Sequence, residues 1–356
     1  MERLKSKLEK IGRNPIITAK SVGLRYSINI NNGFYRIKKN ENFEFRDENK
    51  KPVRDKVILE RIYKLVIPPA WEQVWISPYE NGHLQATGID AKGRKQYRYH
   101  QQWNKIRNQS KFYKLRSFAK ALPLIRKQVE IDLNKKGLPY EKVVALVVKL
   151  IELTNIRIGN DAYKKLYGSF GLTTLQDKHV KFSSSKIYFE FVGKKGIMHK
   201  MSLESVQLAK LVKRCKDIPG QDLFQYYDES GNQKCITSSD INNYLKQVTG
   251  EEFTAKDFRC WAGSVNALGA FQKLAQPESQ SECKHKIVEV LDEVASKLGN
   301  TRTVCKKYYV HPTVIAAFEK GSIWSYKPDS DTSELNDEEH ALVILLEKET
   351  IAEVVC

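Results

Sequence analysis

Several residues in this chain are of types that could handle a phosphate ester: Arg157, Arg259, the adjacent Lys194 and Lys195, Asn300, and the adjacent Tyr308 and Tyr309. A guanidinium offers a planar fork that binds two phosphate oxygens at once. A lysine whose pKa falls in a cationic setting can pass a proton to a departing oxygen. A tyrosine hydroxyl can attack phosphorus and hold the product covalently. Taken singly, each residue has a plainer reading. Arg157 lies just past the apolar segment Lys142–Leu153, where a cation answers a helix dipole. Arg259 shares a helix with the apolar Phe258 and could pair with Asp257. Lys194 and Lys195 sit in a turn, where lysines are usually just solvated. Either tyrosine could be an ordinary core residue, and Asn300, next to Gly299, could be a helix N-cap.

A second set mixes bases with aromatics. Residues 92–99 read KGRKQYRY. On a strand, Arg94, Gln96 and Arg98 face one side and Lys95, Tyr97 and Tyr99 the other. This is either a solvated edge strand or a segment that touches nucleic-acid bases and phosphates.

The charge balance favours a polyanionic partner. The 356 residues carry 60 Lys and Arg against 42 Asp and Glu, a net of +18. The acids gather in residues 329–356, whose net charge is −8, so the preceding 328 residues carry +26. A body that basic points first to nucleic acid. An acidic membrane surface would call for a basic amphipathic helix or a lipidation signal, and neither is visible. The longest apolar runs, Val143–Val148 and Ala341–Leu346, are far too short to span a bilayer. The N-terminal MERLKSKLEK does not resemble a secretory signal. With 41% apolar residues the chain can build real cores. Its six cysteines form no CxxC pair and read as reduced thiols. Cys283 and His285 lack a second ligand pair, and no phosphate-binding GxxxxGK[ST] loop occurs, so neither zinc nor a P-loop nucleotide is expected.

These residues need elements to hold them. The first hundred residues read as short strands: a hairpin of Leu24–Ile30 and Phe34–Lys38 around Asn31-Asn32-Gly33, then Phe43–Arg46, Trp71–Ile76 and His83–Gly88, with a helix near Asp55–Tyr63. From Gln101 the period is helical. Pro123 is expected to open a helix whose Ile125, Val129 and Leu133 share one face. The segment 142–153 is apolar all round, as in a central buried helix. Val180–Phe182, Lys186–Val192 and Met198–Leu203 read as three strands, with Gly193–Gly196 turning between the last two. Helices follow at 205–216, 239–247, 284–298 and 303–309. Another opens at a Thr254/Asp257 capping box, and Pro312 begins one more. In the acidic tail, Asn336 is expected to cap a helix that packs one leucine-rich face on the body.

Five segments in order then match a known family: 85–99 (QATGIDAKGRKQYRY), 155–160 (NIRIGN) with 169–175 (SFGLTTL), 191–196 (FVGKKG), 254–262 (TAKDFRCWA) and 298–312 (LGNTRTVCKKYYVHP). From about residue 20 to 325 the chain resembles the small type IB DNA topoisomerases of bacteria and poxviruses, more closely the bacterial kind. The resemblance implies that Arg157 and Arg259 are the catalytic arginines and that Lys194, the first lysine of the turn, protonates the leaving oxygen. It places the nucleophile directly before a hydrophobe-His-Pro, which selects Tyr309 ahead of Val310-His311-Pro312. It also puts a His or Asn nine residues earlier, which is Asn300, as a donor to a phosphate oxygen. Arg94, Lys95, Gln96, Tyr97, Tyr99, Tyr163 and Lys256 match DNA-contacting positions.

The expected fold is α+β. A small antiparallel β-rich domain (1–100) leads into a mostly helical catalytic domain (101–328) with a three-stranded sheet, as in topoisomerase IB and tyrosine recombinases. An acidic tail (329–356) completes the chain. The implied activity is ATP-independent relaxation of duplex DNA through a 3′-phosphotyrosyl link, by a monomer clamped on DNA, with no cofactor, no required divalent metal and no membrane. Such a protein would work in the cytoplasm on the nucleoid, or in a virion or nucleus if viral. The rival enzyme is a tyrosine recombinase, which usually carries His-x-x-Arg where this chain has Lys256 before Arg259. A non-enzymatic basic DNA-binding protein would explain the charge alone.

Overall fold

The computed structural model describes residues 14–27, 32–39, 42–91, 93–327 and 334–348, the side chains of 108–111 and 113 aside. The chain divides into two compact units, 1–114 and 115–356, and the division falls inside the long helix Gln101–Leu133.

The first unit is built on a five-stranded antiparallel sheet. Its strands are β1 (Phe34–Lys39), β2 (Asn42–Arg46), β3 (Glu72–Ile76), β4 (Leu84–Ile89) and β5 (Lys95–Tyr99), in the spatial order β2-β1-β3-β4-β5. The helix Lys56–Lys64 starts where the Asp55 carboxylate accepts from the amides of Val57 and Ile58. Ile62 from this helix packs with Phe45, Val74, Ile76 and Ala86 of the sheet. The hairpin expected around Asn31-Asn32-Gly33 lies partly outside the described residues. Phe34–Lys39 pairs instead with the next strand, Lys39 opposite Asn42, and with β3. The β3–β4 hairpin forms as read, and β5 closes the sheet as an edge strand.

The second unit surrounds the helix Tyr140–Thr154. Val143 through Val148 are all buried, because other elements cover every side of this helix. Asn155 ends it in the left-handed region at φ +55. The three-stranded sheet has the expected strands, β6 (Val180–Ser183), β7 (Lys186–Val192) and β8 (Met198–Glu204), in sequence order. Ile187, Phe189 and Phe191 alternate inward along β7, as a period of two requires. Helices Val206–Lys216, Ser238–Thr249, Ala255–Gln272, Gln280–Lys297, Arg302–Tyr308 and Pro312–Glu319 complete the body. The capping box at Thr254 is made by Asp257, whose carboxylate accepts from both the amide and the hydroxyl of Thr254.

Pro123 corrects one expectation. It lies inside the helix Gln101–Leu133 and does not start one. Proline forfeits the bond to the carbonyl four residues back, a cost of about 3 kcal/mol. Yet Leu115, Phe118, Leu122, Ile125, Val129 and Leu133 form one buried stripe at helical spacing on both sides of it. Continuing the helix keeps that stripe whole. Small elements that went unread include the helices Pro15–Ser21 and Asp161–Tyr167 and the hairpin Gln225–Tyr227 with Gln233–Cys235.

The described part of the acidic tail, residues 334–348, packs as expected. Asn336 and Glu339 cap the helix Asp337–Lys348 reciprocally, each accepting from the other's amide. Ala341, Leu342, Leu345 and Leu346 are buried in the core of the second unit. No helix among the described residues is long and apolar enough to cross a membrane.

Candidate active site

Arg157 is positioned through its backbone. After the left-handed turn at Asn155, the chain runs past residues 171–173. Leu172 N–H donates to the Arg157 carbonyl (2.8 Å) and Thr173 N–H to that of Ile158 (2.7 Å). A Cβ on Gly171 would stand 2.5 Å from the Arg157 oxygen, so only glycine permits this approach. This pairing explains why the segments 155–160 and 169–175 belong together.

The Arg157 side chain then reaches the far end of another helix. Its Nη2 donates to the Gly299 carbonyl (3.1 Å) and to Oδ1 of Asn300. Arg259 reaches the same helix end. Its Nη2 donates to the Leu298 carbonyl (2.8 Å) and its Nη1 to the Asn155 carbonyl. Both guanidinium groups therefore sit on carbonyls at helix C-termini, where the dipoles favour cations. The pairing of Arg259 with Asp257 weighed from sequence is not made; that carboxylate caps its own helix. Arg259 is only 4% exposed, and its Nε has no hydrogen-bond partner. Burial, and then the neighbouring Arg259, pull the pKa of Arg157 below its ordinary value, while the Tyr309 phenol pulls the other way.

Asn300 is not a helix N-cap; Thr301 is, accepting from Val304 N–H. Gly299 turns at φ +58 and Asn300 N–H donates to the Ala295 carbonyl (2.8 Å), which closes helix 280–297. That turn leaves the Asn300 amide beside Arg157.

Tyr309 follows the last residue of the helix Arg302–Tyr308 and lies against helix 255–272. Ser264 Oγ donates to its carbonyl (3.2 Å) and accepts from His311 N–H (2.9 Å). Gly263 makes room, since a Cβ there would come within 3.0 Å of Tyr309 Cβ. The Arg259 guanidinium carbon is 4.9 Å from the Tyr309 ring centroid. Tyr308 has a different neighbour: Lys307 Nζ lies 5.5 Å from its ring centroid.

Lys194 and Lys195 occupy the β7–β8 turn, closed by Gly193 N–H donating to the Ile197 carbonyl (2.7 Å), with Lys195 at φ +65. Both are exposed, and both line a cavity of about 470 Å³ together with Arg157, Lys256, Arg259, Asn300, Tyr308 and Tyr309. No carboxylate lines it. Five cations without a counter-acid make a site for an anion with several oxygens. A larger cavity, about 920 Å³, contains none of the expected site residues and is lined by Arg126, Trp261 and Glu339 among others. Among the described residues, no three His, Cys, Asp or Glu side chains gather as metal ligands would.

The remaining expected contacts lie elsewhere. Tyr163 is exposed on helix 161–167, beside Tyr167. On β5, Tyr97 and Tyr99 stack with centroids 5.9 Å apart, and Lys95 Nζ lies 5.9 Å from the Tyr97 ring. Arg94 and Gln96 turn toward Asp90, which accepts from Arg94 Nε (2.6 Å) and Gln96 Nε2 (2.8 Å). The alternation is thus as read, but Arg94 and Gln96 are engaged within the protein. Lys92 lies outside the described residues.

Sequence reasoning missed His199 of β8. Its ring lies against Gly193 and Gly299, the residues just before Lys194 and Asn300. The signal was the alternation of β8, where His199, Met201 and Leu203 are the half-buried positions.

Comparison with known proteins points the same way. Residues 100–331 match the family described as eukaryotic DNA topoisomerase I, catalytic core, and residues 42–90 match the bacterial DNA topoisomerase IB N-terminal domain. The chain is 34% identical to DNA topoisomerase 1B of Acanthamoeba polyphaga mimivirus over 286 residues, 78% of this chain and 85% of that protein. It is 24% identical over 250 residues to DNA topoisomerase I of monkeypox virus and to DNA topoisomerase 1B of vaccinia virus (strain Copenhagen), covering 69% of this chain and 75% of each.

Proposed function

The chain belongs to the type IB DNA topoisomerase family, and from that premise we propose that it relaxes supercoiled duplex DNA through a covalent link to Tyr309. The Tyr309 oxygen attacks a backbone phosphorus in line with the 5′-oxygen. An Oη–P bond forms, leaving a 3′-phosphotyrosyl end, and the P–O5′ bond breaks. The phenolic proton passes to solvent, and the departing 5′-oxygen takes a proton from Lys194. The cut strand rotates about the intact one. The 5′-hydroxyl then attacks the phosphotyrosine and reseals the strand. One phosphoester replaces another at each step, so no ATP is needed.

In this reading Arg157 and Arg259 bind the non-bridging oxygens, and Asn300 donates to one of them. Arg259, though only 4% exposed, lines the same cavity as Arg157 and Asn300 and brings its charge to it. These cations take the charge-neutralising role that a divalent metal would otherwise fill, and we propose that none is required. The exposed Lys95, Tyr97 and Tyr99 of the β5 edge contact the duplex, with Tyr163 and Lys256. Arg94 and Gln96 join them by exchanging Asp90 for DNA. The protein acts as a monomer.

The observation that carries this reading is the convergence of Arg157, Arg259, Asn300, Tyr309 and the lysine turn on one cavity without an acid. The test is incubation with supercoiled plasmid in EDTA without ATP, followed by a denaturing gel with labelled duplex. Relaxed topoisomers and a covalent adduct at a 3′ end are expected. Absence of both would overturn the proposal, and strands exchanged between two duplexes would point to a recombinase.

A further inference from the structure

His199 stands between the two loops that carry polar groups to the cavity. It lies directly opposite Phe191 in the β7–β8 register, and its ring stacks on that side chain with centroids 5.1 Å apart and planes 11° from parallel. One edge faces the lysine turn: a Cβ on Gly193 would stand 2.5 Å from His199 Cδ2 and 2.7 Å from Nε2. The other edge faces the Asn300 loop: a Cβ on Gly299 would stand 2.4 Å from Cε1 and 3.1 Å from Nδ1. The imidazole thus fills the gap between Gly193 and Gly299, in contact range of the backbone at both. Gly193 immediately precedes Lys194, and the Gly299 carbonyl holds Arg157. Gly299 sits at φ +58, while Gly193 is extended at φ −94, so at Gly193 space alone, not backbone conformation, requires glycine.

We propose that His199 is a positioning residue: its ring is the spacer that sets the lysine turn at its working distance from Arg157 and Asn300. The turn needs such a stop. Lys194 through Met198 are all exposed, so nothing else in that segment is packed. The ring does this as a neutral group, since burial first, and then Arg157 and Arg259, hold its pKa below the ordinary imidazole value. A charged ring would put another cation beside two arginines. Misplacing a proton donor by about 1 Å can cost ~10²-fold in rate, and general-acid catalysis itself is worth ~10²–10⁴.

The inference rests on the proposal that the lysine turn protonates the leaving oxygen, and the test separates the two. The full-length protein is given two single-site duplexes, one ordinary and one with sulfur in place of the bridging 5′-oxygen. A thiolate leaves without a proton, so only the ordinary substrate needs the acid. His199→Ala is expected to slow cleavage of the ordinary duplex by about 10²-fold and that of the sulfur duplex only a few-fold, with DNA affinity unchanged. His199→Gln, which fills most of the space with a neutral group, should recover much of the loss and guards against a folding defect in the alanine variant. Equal slowing on both substrates, or no slowing on either, would overturn the proposal. Lys194→Ala and Lys195→Ala are run alongside. If one is rescued by sulfur and His199→Ala is not, the positioning role alone fails. If neither is rescued, the general-acid reading fails and this inference with it.

Discussion

The Arg259 guanidinium lies 4.9 Å from the centre of the Tyr309 ring, and its two terminal nitrogens are bound to the carbonyls of Asn155 and Leu298. One buried side chain thus touches the ends of two helices and the proposed nucleophile. Tyr309 is also the phenol that Arg157 senses.

Tyr309→Phe removes only a hydroxyl and leaves the ring against Arg259. DNA binding is expected to survive, while covalent adduct and relaxation disappear. Tyr308→Phe keeps substantial activity, because Tyr308 ends the helix with Lys307 near its ring, while Tyr309 lies past the helix end with its ring near Arg259. A denaturing gel decides: adduct from Tyr309→Phe but none from Tyr308→Phe would move the nucleophile by one residue.

Arg157→Ala and Arg259→Ala are each expected to slow cleavage by ~10²–10³. Arg259→Lys should recover little, since an ammonium cannot span the Asn155 and Leu298 carbonyls with a planar fork. Single-turnover rates at saturating DNA check this. Rates that recover fully at high protein concentration would mark these side chains as ground-state DNA contacts.

Gly263→Ala should be helpful by helix propensity alone, by about 1 kcal/mol. Here the added methyl would meet both Cβ and the carbonyl oxygen of Tyr309 at 3.0 Å. We expect slower cleavage with unchanged DNA affinity, measured as the ratio of cleavage rate to binding constant. A wild-type ratio would show that the Tyr309 loop yields without cost.

The tail helix is tied to the catalytic helix by Glu339. Its carboxylate accepts two bonds from Arg126 (2.7 and 3.0 Å) and one from Trp261 Nε1 (3.0 Å), two residues past Arg259. Glu339→Ala leaves Arg126 with Glu152 but strands the Trp261 donor, and it should cost about 1–3 kcal/mol, the usual penalty for a buried donor left unsatisfied. Thermal melts test this. Removal of residues 329–356 should destabilise at least as much while leaving cleavage chemistry possible. A truncated protein of full stability would show that the tail helix is dispensable packing.

Acid sensitivity should come in part from His311, which is fully enclosed and held by burial at about 3. The unfolded imidazole titrates near ~6.5, so as pH falls the unfolded chain takes the proton first. Stability from this group is complete above that value and is lost progressively as pH drops toward 3. The Nδ1 of His311 accepts from Thr313 N–H at a helix start, a role asparagine can fill. Denaturant melts between pH 7 and 4 should therefore show a flatter pH dependence for His311→Asn than for the wild type, and parallel curves would exclude His311 as the source.

Much of this molecule was legible from local chemistry. Strand alternation located β6, β7 and β8 to within a residue or so, because side-chain direction on a strand depends only on parity. Caps located helix starts at Thr254 and Asn336, because a cap satisfies amides within its own turn. The order of five short segments was enough to indicate the family. Tertiary structure decided what those rules do not reach. Pro123 stays inside a helix because a buried stripe on both sides outweighs one missing hydrogen bond. Arg94 and Gln96 are taken up by Asp90, while Lys95, Tyr97 and Tyr99 stay exposed on the β5 edge. The contact of Arg157 with Gly299 and Asn300 joins residues more than 140 positions apart, and the wedge of His199 between Gly193 and Gly299 depends on two glycines with no local mark of that purpose. Such contacts depend on how helix ends and turns meet in space, which the packing of the whole core sets and no short stretch of sequence encodes.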